Sequence, residues 1–231
     1  MCRDFEKVMK SEFEMSAMGE LSFFLGLQVV QKKDGIFIHQ TKYVNDILER
    51  FKMTDAKSIA IPIPVNHQLG AVVDSDELAD PRASHLSAVK RIFRYLKGRP
   101  KLGIWYPSKG DLDFVAYSDA DYGGCNLMRK STSGGCQFLR GRIVLWIQQQ
   151  LRDYGLNFTN TPIMVDNEST ISITNTPIEI KHHFIRDCAE KRLIHMVKVQ
   201  SDYNYADLFT KAFDRSRFDF LLQANGMRNP E

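Results

Sequence analysis

The chain has 231 residues, 43% of them hydrophobic and 26% charged, enough to bury a core as one large domain or two small ones. A net charge of +3 makes bulk electrostatics uninformative, so any preference for acidic partners has to come from local clustering. No stretch reaches the ~18 apolar residues of a membrane span, and the charged start Met1-Cys2-Arg3-Asp4 is no signal peptide. Cys2, Cys125, Cys136 and Cys188 are scattered, with no C-x-x-C and no His at zinc-finger spacing, which excludes a disulfide framework and a structural zinc. The expectation is a reduced, soluble, intracellular protein, cytoplasmic or nuclear rather than secreted, with no membrane and no disulfide partner.

In chain order, residues 3–15 read as a short charged helix. Residues 21–30 are rich in strand formers, as is Ile36-Phe37-Ile38. Between them Lys32-Lys33-Asp34-Gly35 holds an Asp-Gly, the hairpin signal of a type I′ turn. A helix follows, with Tyr43, Ile47, Leu48 and Phe51 on one apolar face. Ile61-Pro62-Ile63-Pro64 is not helical and 65–81 is polar and unpatterned, so 58–81 reads as a linker.

Between Arg82 and Lys101 there are seven Lys/Arg and no Asp or Glu. The spacing predicts a helix with an apolar stripe of Leu86, Val89, Phe93 and Leu96, a basic face of Lys90, Arg94 and Lys97 beside Arg91, and a stop at Gly98. Two readings stand side by side: a solvated basic face, or a helix laid along a nucleic-acid backbone by charge without base specificity.

From 102 onward the pattern turns to strands. Leu102 to Tyr106 is one, followed by a turn at Pro107-Ser108-Lys109-Gly110. Strand 112–118 delivers Ser118-Asp119-Ala120-Asp121 towards Gly123-Gly124. Gly135 to Leu139 is an antiparallel partner, and Ile143 to Trp146 a third strand running into a helix through Leu151. Ile163-Met164-Val165-Asp166 is another strand ending in Asp, with Asn167-Glu168-Ser169 opening a helix. His183 to Arg192 reads as a helix, Ile194 to Val199 as a strand, and Tyr205 to Phe213 as a helix carrying Asp207. By itself an Asp at a strand end makes a turn. Asp119, Asp166 and Asp207 on three separate elements are also what a two-metal nuclease needs, since its carboxylates converge from distant segments.

The residues carry a resemblance. Tyr117-Ser118-Asp119-Ala120-Asp121, Arg129-Lys130-Ser131-Thr132-Ser133-Gly134, Val165-Asp166-Asn167 and Ala206-Asp207-Leu208-Phe209-Thr210-Lys211 resemble signature segments of the ribonuclease H domain of copia-type retrotransposon Pol polyproteins. Phe13 to Leu21 and Phe24-Leu25-Gly26-Leu27 resemble the part just after the reverse-transcriptase active site, and Ser84-His85-Leu86 through Gly98 resembles the thumb/connection helix. The resemblance implies an α/β, ribonuclease H-like mixed sheet of five strands flanked by helices, preceded by a small α+β remnant of a reverse-transcriptase palm and thumb. It implies a reverse-transcriptase remnant over 1–57, a linker over 58–81, the basic helix over 82–101, an incomplete ribonuclease H-like domain over 102–213 and a tail over 214–231. In that family the domain degrades the RNA strand of an RNA–DNA hybrid with Mg²⁺ or Mn²⁺. Asp119, Asp166 and Asp207 match catalytic metal-binding positions and Asp121 a neighbour, while Lys90, Arg91, Arg94 and Lys97 are candidate nucleic-acid-binding residues by charge.

Three departures bear on function. The polymerase's paired Asp motif is absent, so the chain is not a competent reverse transcriptase. The linker runs into Arg82 where the family has a longer stretch. A Ser-Thr-x-Glu-Ala-Glu-Tyr helix, bearing the family's remaining catalytic Glu, is missing between Gly141-Arg142-Ile143-Val144-Leu145 and Trp146 to Leu151. Glu168 does not replace it and is expected to serve a helix first turn. His182, His183 and His195 read as packed or solvated side chains rather than catalytic ones. Three functions remain open: a metal-dependent ribonuclease H, a weakened or inactive remnant that at most binds nucleic acid, or a binding module that kept the three Asp as a structural metal site.

Overall fold

The computed structural model describes residues 2–14, 19–65, 83–110, 113–121, 132–139, 141–144, 160–168, 171–172 and 188–230. Helix α1 (Cys2–Glu12) opens the chain, its Lys10 paired to Glu6 one turn back at 2.7 Å. Strands β1 (Phe23–Phe24) and β2 (Leu27–Lys32) fold back on each other, with Phe24 opposite Leu27. The single run of strand formers expected over 21–30 is thus broken at Leu25 and Gly26, whose φ angles are 50° and 80°. Gly takes that conformation freely, whereas it costs Leu about 1–2 kcal/mol.

Strand β3 (Gly35–His39) pairs antiparallel with β2, Lys32 opposite Gly35. The expected hairpin is present, but its turn is not type I′, because no residue from Lys32 to Gly35 has positive φ. Gly35 is needed for a different reason. A Cβ there would run into the Tyr106 carbonyl and lie 2.6 Å from the Trp105 ring on the next strand.

Helix α2 (Thr41–Arg50) buries Val44 and Leu48, while Tyr43 and Phe51 stay more than half exposed. The buried face is therefore rotated from the one expected. Phe51 instead ends the helix and meets Phe93 of α3 (Ala83–Gly98), ring centroids 5.1 Å apart. On α3 only Tyr95 is buried, and Leu86 and Val89 remain exposed, so the expected stripe packs only through its C-terminal half. That half is where neighbours lie. Arg94 Nε donates to the Lys57 carbonyl at 2.7 Å, the Ile59 N–H donates to the Arg94 carbonyl at 3.3 Å, and Gly98 leaves room for Ser58. The first residues of the expected linker are thereby tied to α3; 66–81 lie outside the described residues.

Strand β4 (Gly103–Pro107) pairs with β3, and β10 (Met227–Arg228) pairs with β4, giving a first sheet ordered β1-β2-β3-β4-β10. The strand expected to open the later unit thus shares a sheet with residues 23–39.

The second sheet contains β5 (Phe114–Asp121), β6 (Thr132–Leu139), β7 (Arg142–Val144), β8 (Thr161–Val165) and β9 (Ile194–Lys198), ordered β7-β6-β5-β8-β9. β5, β6 and β7 are antiparallel neighbours, while β8 runs parallel to both β5 and β9. Parallel neighbours need crossover connections. Those segments, including the helix expected over 146–151 and most of the one expected over 183–192, lie largely outside the described residues.

The chain ends in two 3₁₀ turns, Ser201–Tyr203 and Tyr205–Phe209, and helix α4 (Arg215–Ala224), followed by β10. The second turn falls where a helix over 205–213 was expected. Asp214 caps α4 by accepting the Arg217 N–H at 3.0 Å. Residues 214–230 include Leu221 and Asn225, both with no exposed surface. A core of Cys136, Phe138, Ile143 and Ala206 is joined by Ile104, Tyr117 and Tyr205. The Tyr106 hydroxyl donates to the Ile143 carbonyl at 2.8 Å, linking the two sheets. Among the described residues no helix is long and apolar enough to cross a membrane. The architecture is α/β.

Candidate metal centre

Side chains alternate along a strand, so Tyr117 and Asp119 of β5 point to the same face. Tyr117 packs there on Phe138 and Tyr205, with ring centroids 5.3 and 4.8 Å away, and Asp119 follows one step further along. The sequence suggests that Asp119 sits where the strand gives way to a turn. Instead β5 continues through Asp121, and Asp119 lies within the ladder opposite Gly134, 3% exposed. Asp166 is the first residue after β8, the parallel neighbour of β5. Asp207 sits on the 3₁₀ turn Tyr205–Phe209 and is 4% exposed.

That turn is fixed by Asn204, which has no exposed surface. Its Nδ2 donates to the Ser118 carbonyl at 3.1 Å and its Oδ1 accepts the Ala206 N–H at 3.3 Å, so one amide ties the Asp207 turn to the Asp119 strand. One carboxylate oxygen from each of Asp119, Asp166 and Asp207 lies within 4.8 Å of the others.

A cation from the chain itself reaches into this group. Lys211 Nζ is 2.8 Å from Asp207 Oδ1 and 3.2 Å from Asp119 Oδ1. The Thr210 hydroxyl donates to Asp119 Oδ2 and lies 3.2 Å from the Asp207 carbonyl. Burial holds the Asp207 carboxyl above its usual range; Lys211 opposes that by hydrogen bond and charge, while Asp119 and Asp166 reinforce it. Burial acts to lower the Lys211 ammonium, but its hydrogen bonds to Asp207 and Asp119 and their charges prevail, so its value is raised.

Three hard carboxylate oxygens at this spacing fit a divalent cation of the Mg²⁺ or Mn²⁺ type, which takes a few carboxylates and fills its remaining positions with water or substrate oxygens. The group contains no Glu among the described residues. Glu168 pairs with Lys198 of β9, both side chains more than half exposed. Asp121 closes β5 opposite Thr132. The His195 ring, exposed on β9, meets the carbonyl and side-chain oxygens of Asn160 at 3.0 Å; His182 and His183 lie outside the described residues.

The basic helix is more engaged than its sequence suggests. Lys90 is exposed, whereas Arg94 is held by the Lys57 carbonyl and Lys97 lines a cleft with Asn45, Leu48, Glu49, Thr54 and Pro100. Arg91 Nε is buried with no hydrogen-bond partner among the described residues.

Sequence reasoning missed roles for Asn204, Thr210 and Lys211. A signal for Lys211 was present, since Asp207 and Lys211 are four apart, the spacing at which helical side chains meet. Asn204 stands before Tyr205 as a capping residue does.

Residues 1–65 match the family model "Reverse transcriptase (RNA-dependent DNA polymerase)". An uncharacterized mitochondrial protein of Arabidopsis thaliana is 27% identical over 170 residues, covering 60% of this chain and 71% of that protein. The Pol polyprotein of transposon TNT 1-94 from Nicotiana tabacum is 22% identical over 96% of this chain, and that of transposon RE1 from Arabidopsis thaliana is 24% identical over 95%. The chain spans 22% and 20% of those two polyproteins. The tobacco alignment runs over 300 positions, more than the 231 residues available here, so the relative carries dozens of residues with no counterpart inside the matched span. No solved structure matches the chain. A reverse-transcriptase model at its start and transposon Pol polyproteins matching nearly its whole length support reading the chain as a fragment of a copia-type retrotransposon Pol polyprotein.

Proposed function

We propose that the second sheet and its carboxylates form a ribonuclease H-like unit with an incomplete catalytic set. Its ancestral chemistry is metal-assisted hydrolysis of the RNA strand of an RNA–DNA hybrid, here weak or absent. The observation that carries the reading is the convergence of Asp119, Asp166 and Asp207 from β5, the end of β8 and a 3₁₀ turn to within 4.8 Å. The sheet order β7-β6-β5-β8-β9, with antiparallel and parallel neighbours mixed, supports it.

A divalent ion bound there supplies the charge that activates a water and stabilises the leaving oxygen. Asp119 and Asp207 hold rigid, nearly water-free oxygens because the ladder and the Asn204 bridge fix their backbones. Asp166 is the more open of the three. The missing Glu leaves this set one carboxylate short, which is why hydrolysis is weakened. Lys90, Arg91, Arg94 and Lys97 are the proposed backbone-binding residues, acting by charge in an intracellular setting. We divide the chain into a reverse-transcriptase remnant over 1–57 and the ribonuclease H-like unit beyond the basic helix, joined through the β3–β4 pairing.

The test is cleavage of an end-labelled RNA–DNA hybrid in Mg²⁺ and in Mn²⁺, beside the Asp119→Asn protein. RNA-strand cleavage lost in the variant supports a residual enzyme, since an amide is a far weaker ligand for a hard cation. Cleavage unchanged by Asp119→Asn would sink the site. A folded protein that binds the hybrid without cutting it favours the second reading, a non-catalytic nucleic-acid-binding remnant, which the absent Glu motivates.

A further inference from the structure

We propose that Lys211 is the resident cation of the carboxylate group, so that a divalent ion binds only by displacing it and residue 211 sets the metal affinity of the centre. The proposal rests on reading Asp119, Asp166 and Asp207 as a metal centre and adds how that centre is controlled.

The geometry leads there directly. The ammonium touches Asp207 Oδ1 at 2.8 Å and Asp119 Oδ1 at 3.2 Å, two carboxylates of the three that converge. An ion coordinated by the same carboxylates would sit within a few ångströms of Nζ, where two positive charges repel strongly in a partly buried site. Lys211 and a metal therefore compete for one position.

The side chain is built for this exchange. It is 33% exposed where its partners are 3% and 6% exposed, so the ammonium has a route to solvent that the carboxylates lack. Its four-carbon stem lets the head swing while Asp207, Thr210 and the turn stay in place. Thr210 continues to hold Asp119 Oδ2 in either state, keeping that carboxylate oriented. Without the lysine, three carboxylates would face one another with no cation between them among the described residues, a buried like-charge arrangement that is costly. Lys211 thus keeps the centre folded when metal is absent, at the expense of metal affinity.

The experiment is a Mn²⁺ titration of the full chain, followed by the electron paramagnetic resonance signal of free Mn²⁺. It compares wild type, Lys211→Met, Lys211→Arg and the double variant Asp119→Asn/Lys211→Met. Lys211→Met is expected to bind one Mn²⁺ at least about tenfold more tightly than wild type. Lys211→Arg, which keeps the charge, is expected to bind as weakly as wild type, and the double variant to lose the gain. Equal affinity in wild type and Lys211→Met, with binding still dependent on Asp119, overturns the competition and leaves the metal centre standing. Binding indifferent to Asp119 in every variant overturns the metal centre and the competition together.

A second measurement needs no variant. Acetylation of Lys211 by acetic anhydride, read by mass spectrometry, is expected to speed up several-fold when Mn²⁺ saturates the wild-type protein, because the amine is released. A labelling rate unchanged at saturation overturns the proposal.

Discussion

Asp119 shows how a single residue comes to be functional here. Its position inside a ladder takes away solvent, and among the described residues its side chain is held from just beyond the Asp207 turn, by Thr210 on one oxygen and Lys211 on the other. Cys136, one strand away on β6, shows the opposite outcome of burial. It packs in the core with Phe138, Ile143 and Ala206, and burial pushes its thiol up to about 12. Because the folded value lies above the ordinary 9.0, the contribution is full below that value and is lost as pH rises from there towards 12. Native Cys136 is therefore expected to resist iodoacetamide at about pH 8.5 and to react once urea unfolds the chain. Rapid alkylation of the native protein, located by peptide mapping, would contradict its burial. Residue types alone allowed the three Asp a turn as readily as a ligand role, and the resemblance of the segments around them is what singled them out. They did not reveal Lys211, because whether an ammonium enters a carboxylate group depends on the hand and pitch of one short turn.

At the scale of elements, the site depends on how closely the 3₁₀ turn Tyr205–Phe209 approaches β6. Gly134 permits it: a Cβ there would lie 2.9 Å from Thr210 Cγ2 and 3.0 Å from Phe209 Cβ. Gly134→Ala is expected to cost about 1–3 kcal/mol in urea unfolding, as overpacking does, and to weaken Mn²⁺ binding by moving Thr210 and Lys211 off Asp119. Unchanged stability and unchanged binding would mean that the turn is not held where the ladder puts it. Element types were mostly readable from periodicity, as the β2–β3 hairpin and α3 show. Their faces were less so. Tyr43 and Phe51 fit an apolar stripe as well as Val44 does, and only the packing of α2 in three dimensions selects Val44 and Leu48. The turn at Leu25-Gly26 was hidden for a related reason: Leu in a left-handed conformation is a local cost that tertiary pairing imposes and composition does not announce.

For the molecule as a whole, α4 holds the two halves together. Arg99 at the end of α3 reaches Asp219 at 2.5 Å, Tyr95 meets Phe218 edge-on, and Asn225 Nδ2 donates to the Tyr205 carbonyl at 3.3 Å, behind the Asp207 turn. Leu221, on the same helix, has no exposed surface. Leu221→Ala is expected to destabilise the chain by about 2–5 kcal/mol in urea unfolding, and a loss below about 1 kcal/mol would show that α4 is only a tail. A sequence places such a helix by its cap, Asp214, but not its importance, because its partners Tyr95, Arg99 and Tyr205 are more than a hundred residues apart along the chain at their extremes. The claim on which the functional reading turns is that Asp119, Asp166 and Asp207 hold a divalent ion in place of Lys211. The most direct test is a crystal soaked in Mn²⁺ and measured at the manganese absorption edge. We expect an anomalous peak within coordination distance of all three carboxylates, with the Lys211 ammonium turned away from Asp119 and Asp207. A peak elsewhere, or none, with Lys211 still bridging the two carboxylates, would contradict it.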